Sequence, residues 1–291
     1  MFFSFRCLRR ALSCVTIRTS PGGGVIMDFV GRLGLSAIRA ARTLSDTLSF
    51  AFQILVKMID RETYNSAVRL VLFRQVYFTA VQILPMFLSI AVIFGAVVVG
   101  ISAQYMKDLG LSEFFGQMLM GFVVTEISPF FTVLLIALRS CSAINTEIAV
   151  MKVSKELRAL EAFHIDPARY LFVPRIVNGM VSVTLLSSLF AVAVLISGWL
   201  FSRIIFSMSL DEYATLLIAS AKFGYIFAMF CKCVALGFFI VLIPIRFGLS
   251  ATNELTSIPI AVLNGMVRVF IAIVLIEVLS LIVTSLLGKL I

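Results

Sequence analysis

Five stretches of this chain, residues 83–106, 114–151, 176–201, 223–245 and 261–287, are long, apolar and nearly free of charge. Each reaches the roughly 20 residues that a helix needs to cross a bilayer core. A chain with five such runs folds as an all-α integral membrane protein. Its composition agrees: 61% of its 291 residues are hydrophobic and 13% are charged, against about half and a quarter in soluble domains. The run 114–151 is too long for one straight crossing and holds Glu126, Pro129 and Arg139. Proline removes a helical hydrogen bond and clashes with the preceding turn, so a break or kink near Pro129 is expected. Ionisable groups at such depth are costly and face protein or water. Glu126 and Arg139 are therefore candidates either for a substrate pathway or for a buried ion pair with each other.

The formal charge of +9 does not point to nucleic acid, because the basic residues are grouped by segment. All Lys and Arg ahead of residue 83 lie on one side of the first run. With five crossings, Lys152, Lys155, Arg158, Arg169, Arg175, Arg246 and Arg268 fall on that same side. The opposite side holds only Lys107, Arg203 and Lys289. The positive-inside rule then places the N-terminus in the cytoplasm and the C-terminus outside, with a basic face toward anionic lipid.

Three regions follow. Residues 1–26 form a basic extension without the apolar centre of a signal peptide, and Met27 is the expected true start. Residues 27–80 contain an amphipathic helix over 28–60. Arg32, Arg39, Arg42, Asp46, Gln53 and Lys57 share one face of it, and Val30, Leu33, Ala37, Ala41, Leu44, Leu48, Ala51 and Leu55 share the other. Such a helix suits the headgroup layer of a membrane. Residues 81–291 carry the five spans, in which Gly95, Gly100 and Gly198 permit close helix approach.

No Gly-x-x-x-x-Gly-Lys-Ser/Thr phosphate loop occurs, so nucleotide chemistry would have to come from a partner. His164 is the only histidine, which leaves no histidine metal cluster and no Ser-His-Asp triad. Cys7, Cys14, Cys141, Cys231 and Cys233 lack metal-ligand spacing and read as small buried apolar groups. Neither an enzyme activity nor a metal is expected.

The charged residues that interrupt the apolar chain cluster in "EIAVMKVSKELRALEAFHIDPARYLFVPR", residues 147–175. A plain connection needs only two to eight residues. Helix formers run from Ala149 to Phe163, and "HIDPARY" then supplies a stop and a restart. Asp166 is the N-cap and Pro167 the first helical residue. Pro174 sets the entry angle of the next span, beside the anchors Arg169 and Arg175. Lys155, Glu156, Arg158 and Glu161 border Leu157, Leu160 and Phe163, giving an apolar patch with a polar rim, as on a docking surface.

The run "VVTEISPFFTVLLIALRSCSAINTEIAVMKVSKELRALEAFHIDPARYLFVPR" closely resembles the signature segment of the MlaE/YrbE family, the permease subunits of ABC transporters that work with MCE-domain proteins in bacterial lipid traffic. The resemblance rests on Glu126 and Pro129, Arg139, Ser142-Ala143, Glu147-Ile148, Met151-Lys152, Leu157, Glu161, Asp166-Pro167 and Pro174-Arg175, at fixed spacing without a gap. Two positions depart from the family pattern. Lys155-Glu156 stands where Glu-Gln is usual, and Thr125 stands where some members carry a basic residue. The resemblance implies an N-terminal interfacial helix, five transmembrane helices and a cytoplasmic coupling helix. The coupling loop comprises Glu147, Lys152, Lys155, Glu156, Leu157, Arg158, Glu161, Asp166 and Arg169. It further implies a homodimer in the bacterial inner membrane, partnered by an ATPase that holds ATP and Mg and by an MCE protein, with phospholipid between the two copies and no cofactor on this chain. The alternative is a secondary transporter or channel that works without ATP. No internal repeat of the kind common in such proteins is evident.

Overall fold

The computed structural model describes residues 43–60, 83–111, 114–206, 209–252 and 254–288. The chain divides into two compact units, Met1–Ser49 and Phe50–Ile291. Of the first, residues 43–49 are described and are helical. Met27 and most of the basic face expected over 28–60, including Arg32, Arg39 and Arg42, lie outside the described residues. The second unit begins with helical residues 50–59 (α1), in which Ala51 and Ile54 are buried while Phe52, Leu55 and Val56 are exposed.

All the described elements are helices. After α1 come α2 (Leu84–Asp108), α3 (Phe115–Met118), α4 (Ser128–Ile136), α5 (Ser142–Val153) and α6 (Glu156–Ala162). These are followed by α7 (Val173–Phe206), α8 (Leu210–Ser220), α9 (Phe223–Gly248) and α10 (Ser257–Gly288). Three π-helical segments are spliced among them: Leu119–Ile127, Ala137–Cys141 and Ala168–Phe172. Five pieces are long and apolar enough to cross a membrane: Leu84–Met106, Phe115–Val153, Ala168–Ile204, Phe223–Gly248 and Ser257–Leu286. Their alternation puts α6 and the α9–α10 loop at one end of the bundle and α8 at the other.

The second span does not break at Pro129. It stays helical from Phe115 to Val153, with the π segment Leu119–Ile127 immediately ahead of the proline. The wider π turn takes up the crowding that proline imposes on the turn before it. The same arrangement recurs at Pro174, which follows the π segment Ala168–Phe172 and is buried in the first turn of α7. The stretch of helix formers from Ala149 to Phe163, fifteen residues, is divided between two helices. Ser154 closes α5, and Lys155 takes a left-handed conformation, φ 63°, before α6 starts. Helix formers flank this turn on both sides, so propensity alone hid it.

α7 is central, packed on α2, α4 and α9; α10 lies against α9 and α5. Phe87, Phe94, Phe131 and Phe190 knit α2, α4 and α7 together, with Phe94 and Phe131 4.5 Å apart and Phe131 stacked on Phe190. Gly95 and Gly198 let α2 and α7 approach so closely that a Cβ on Gly95 would lie 2.6 Å from the Val194 carbonyl oxygen. Gly95, Gly100 and Gly198 thus serve contacts within one chain. At the α7–α9 crossing, Gly179 and Gly237 meet backbone to backbone, and a Cβ on Gly237 would fall 2.6 Å from the Met180 Cα.

α8 was not anticipated. Ser209 caps it by accepting from the Glu212 N–H at 3.2 Å, and Asp211 and Glu212 sit in its first turn. That Ser-x-x-Glu spacing is a capping-box signal readable in the sequence. Tyr213 ties α8 down by donating to the Leu195 carbonyl at 3.1 Å.

Candidate functional site

Three charged side chains from three different spans meet inside the bundle. Glu126 comes from the π segment Leu119–Ile127, Lys232 from α9 and Glu277 from α10. The Lys232 Nζ donates to Glu126 Oε2 and also forms an ion pair with Glu277 Oε2. The lysine side chain is 1% exposed and each carboxylate 13%. Charge of this kind survives at depth only when paired, since removing one partner strands the others in a medium that cannot solvate them. Two carboxylates share one ammonium, and Glu277 Oε1 is buried without a protein partner. The cluster sits on a backbone of unusual register: Thr125, next to Glu126, returns its hydroxyl to the Met120 carbonyl five residues back, at 2.8 Å. π segments occur often at functional sites because they turn a side chain out of the regular helical sequence. Phe122, Phe227 and Phe230, on the same two elements, remain exposed.

Of the two readings open for Glu126 and Arg139, an ion pair with each other is not formed: Lys232 is the partner of Glu126. Arg139 lies on the π segment Ala137–Cys141, is exposed, and is not the partner of Glu126. Glu277 was missed altogether. Its signal was plain: a lone carboxylate within "IAIVLIEVLSLIV" has to be matched by something.

At the α6 end, a second set of charges joins the segments expected to form the coupling loop. Arg175 Nη2 donates to Glu147 Oε1, linking the start of α7 to α5. Arg175 is buried and Glu147 half exposed. Lys152 donates to the Leu249 carbonyl at the end of α9. Asp166 accepts from the Ala168 N–H at 3.0 Å, as an N-cap does, and the helix restarts at Pro167. Asp166 also pairs with Lys57 at 2.5 Å, and Arg169 pairs with Asp60 at 2.8 Å, so two ion pairs bind α1 and the residue after it to the entry of α7. Nothing in the local sequence pattern announced these pairs, which join residues 109 apart. Burial pushes the Asp166 carboxyl up. The Lys57 hydrogen bond, the Ala168 N–H and the charges of Lys57 and Arg169 outweigh it and hold the group below the ordinary carboxylate value.

α6 itself presents Lys155, Glu156, Arg158 and Glu161 outward. Leu157, expected at the centre of an exposed apolar patch, is instead 8% exposed and anchors α6 to the bundle. Phe163, 76% exposed, is the apolar group left on the outer face. Pro129, Pro167 and Pro174 are all buried.

The sequence matches the family model described as Permease MlaE over residues 72–283. It is 29% identical over 166 residues to the intermembrane phospholipid transport system permease protein MlaE of Haemophilus influenzae, covering 57% of this chain and 62% of that protein. A probable ABC transporter permease protein of Synechocystis is 25% identical over 56% of this chain and 64% of its own length. One from Rickettsia typhi is 23% identical over 75% of this chain and 83% of its own. The chain thus spans a little under two thirds of the length of the Haemophilus and Synechocystis relatives. The family match takes in the buried Glu126–Lys232–Glu277 cluster and all of α6, and on it the chain belongs to the MlaE family of ABC transporter permeases.

Proposed function

We propose that this chain is the membrane-spanning subunit of an ABC transporter that moves phospholipid, driven by a separate ATPase. The observation that carries the reading is the reach of the family match, residues 72–283, which includes four spans, nearly all of the fifth and the α6 segment. The name of the Haemophilus relative supplies the substrate class. On this reading α6 is the coupling helix, seated in the ATPase, and the α6 end of the bundle faces the cytoplasm. Two copies of the chain enclose the lipid, an MCE-domain protein takes part on the periplasmic side, and ATP and Mg are held by the ATPase. The buried charge cluster supports the reading as well: a polar station among exposed aromatic side chains suits a ligand with a charged head and apolar tails.

Glu161→Arg tests it. Glu161 is exposed on α6, so the change leaves the fold alone. A charge reversal in a docking contact costs roughly 1–3 kcal/mol, a five- to 150-fold loss of affinity. The ATPase should co-purify poorly with the variant, and transport should fall while the membrane level of the chain stays normal. Arg203→Glu, exposed at the opposite end, should retain the ATPase. Retention by charge reversals across all of α6 would sink the coupling-helix reading. Transport by the purified chain without nucleotide would favour a secondary carrier.

A further inference from the structure

Side chains of the α9–α10 loop bond its backbone on both flanks of the tip. Ser257 Oγ accepts from the Thr252 N–H at 3.1 Å and lies 3.2 Å from the Thr252 carbonyl and 2.7 Å from that of Glu254. Ser250 Oγ donates to the Phe247 carbonyl at 2.6 Å. The loop is also fixed from outside. Ala251 and Ala261 pack with Ala149 of α5, and Val153 and Ile258 close over them. Lys152 holds the Leu249 carbonyl, and Asn145 reaches the Ala261 carbonyl at 3.3 Å. These anchors run along α5 from Asn145 in its first turn to Lys152 and Val153 in its last, just before the Ser154–Lys155 turn that leads into α6. At the tip of this braced loop, Glu254, Leu255 and Thr256 are exposed, Leu255 at 72%. A single exposed leucine is ordinary. One held out beside the turn that Ser257 bonds has already lost part of the conformational freedom that binding would otherwise remove.

We infer that the Glu254–Leu255 tip is a second contact for the ATPase, so that the permease engages it at two points flanking the end of α5. This rests on the reading of α6 as the coupling helix. The occupant follows from position and chemistry. The tip shares its footing on α5 with α6, so a body seated on α6 meets it. Both elements present a carboxylate beside an exposed apolar side chain: Glu161 near Phe163 at the α6 end, where Lys155, Glu156 and Arg158 complete a mixed-charge rim, and Glu254 with Leu255 on the loop. A partner with apolar sockets and a cation beside each fits both. The loop opens α10, which carries Glu277 twenty residues on from Ser257, so the second contact has its own unbroken helix to the buried charge cluster.

The test uses the complete complex in detergent. Leu255→Asp should lower ATPase affinity about tenfold, with the membrane level of the permease unchanged. A photo-crosslinking benzoylphenylalanine at position 255 should yield a covalent adduct with the ATPase on illumination, and one at Ile218 on α8 should not. Glu161→Arg runs beside them. If Glu161→Arg releases the ATPase while Leu255→Asp holds it at parental affinity and position 255 gives no adduct, the second contact is wrong and the coupling-helix reading stands. If neither substitution weakens the ATPase and no adduct forms, the second contact is wrong, and if charge reversals across all of α6 also retain the ATPase, the coupling-helix reading falls with it.

Discussion

A lysine with 1% of its side chain exposed and two carboxylates in reach is held between both of them. Lys232→Met leaves Glu126 and Glu277 facing each other at depth, and breaking a buried pair in this way costs about 3–5 kcal/mol. The variant should melt well below the parent in detergent and accumulate poorly. Combining Lys232→Met with Glu126→Gln and Glu277→Gln removes the stranded charge, so thermal stability should return while transport does not. A triple variant that transports normally would show the cluster to be scaffolding. Asp166 gives a second prediction. Its folded-state pKa lies below the ordinary carboxylate value. The stability it contributes is therefore complete above that ordinary value and is lost as pH falls through the lowered one. Hydrogen exchange in residues 50–59 should speed up on acidification below about pH 4, and Asp166→Asn should show fast exchange already at neutral pH. Sequence reading reached Glu126 because it is a charge in an apolar run. It could not identify its partner, because the choice between Arg139 and Lys232 is made by which helices lie side by side.

The spans were legible as elements because twenty apolar residues leave a chain little choice, and their order and number stand as read. Their ends were less so. Residues 147–153 belong to the second span rather than to a loop, since Glu147 is matched by Arg175 and Ile148 and Ala149 are buried. α8 is short and only moderately apolar, and its one clear mark is the Ser209–Glu212 cap. The turn between α5 and α6 carries a prediction of its own. Lys155 at φ 63° occupies a conformation that costs a residue with a Cβ about 1 kcal/mol or more. Lys155→Gly relieves that cost but adds freedom to the unfolded chain, so the net gain should be about 0.5 kcal/mol, read as a small rise in melting temperature. A loss of stability would mean that the Lys155 side chain holds the turn by contacts of its own.

For the molecule as a whole, five spans place the two ends of the bundle on opposite sides of the membrane. Reporter fusions after Asp60, within 155–166 and after Leu255 should report cytoplasm, and fusions near Asp108 and Ser209 should report the far side. A reporter at Leu255 on the opposite side from one at Glu161 would break the five-span count. Exposed Leu263, Val267, Ile271, Val274 and Val278 leave much of α10 facing outward, toward lipid or a second copy. The meeting of Gly179 and Gly237 constrains how this bundle moves. With no side chain between the two backbones, α7 and α9 touch closely at this one crossing, beside Met180 and Val241. A motion that keeps the contact is a rocking of the two helices about it. Lys232 lies five residues to one side of that pivot, about 7.5 Å, and Gly248 eleven residues to the other, about 16 Å. In such a rocking α9 is an unequal lever with Pro244 on its longer arm: to the extent that this arm stays straight, a displacement at Gly248 reaches Lys232 at about half its size and in the opposite direction.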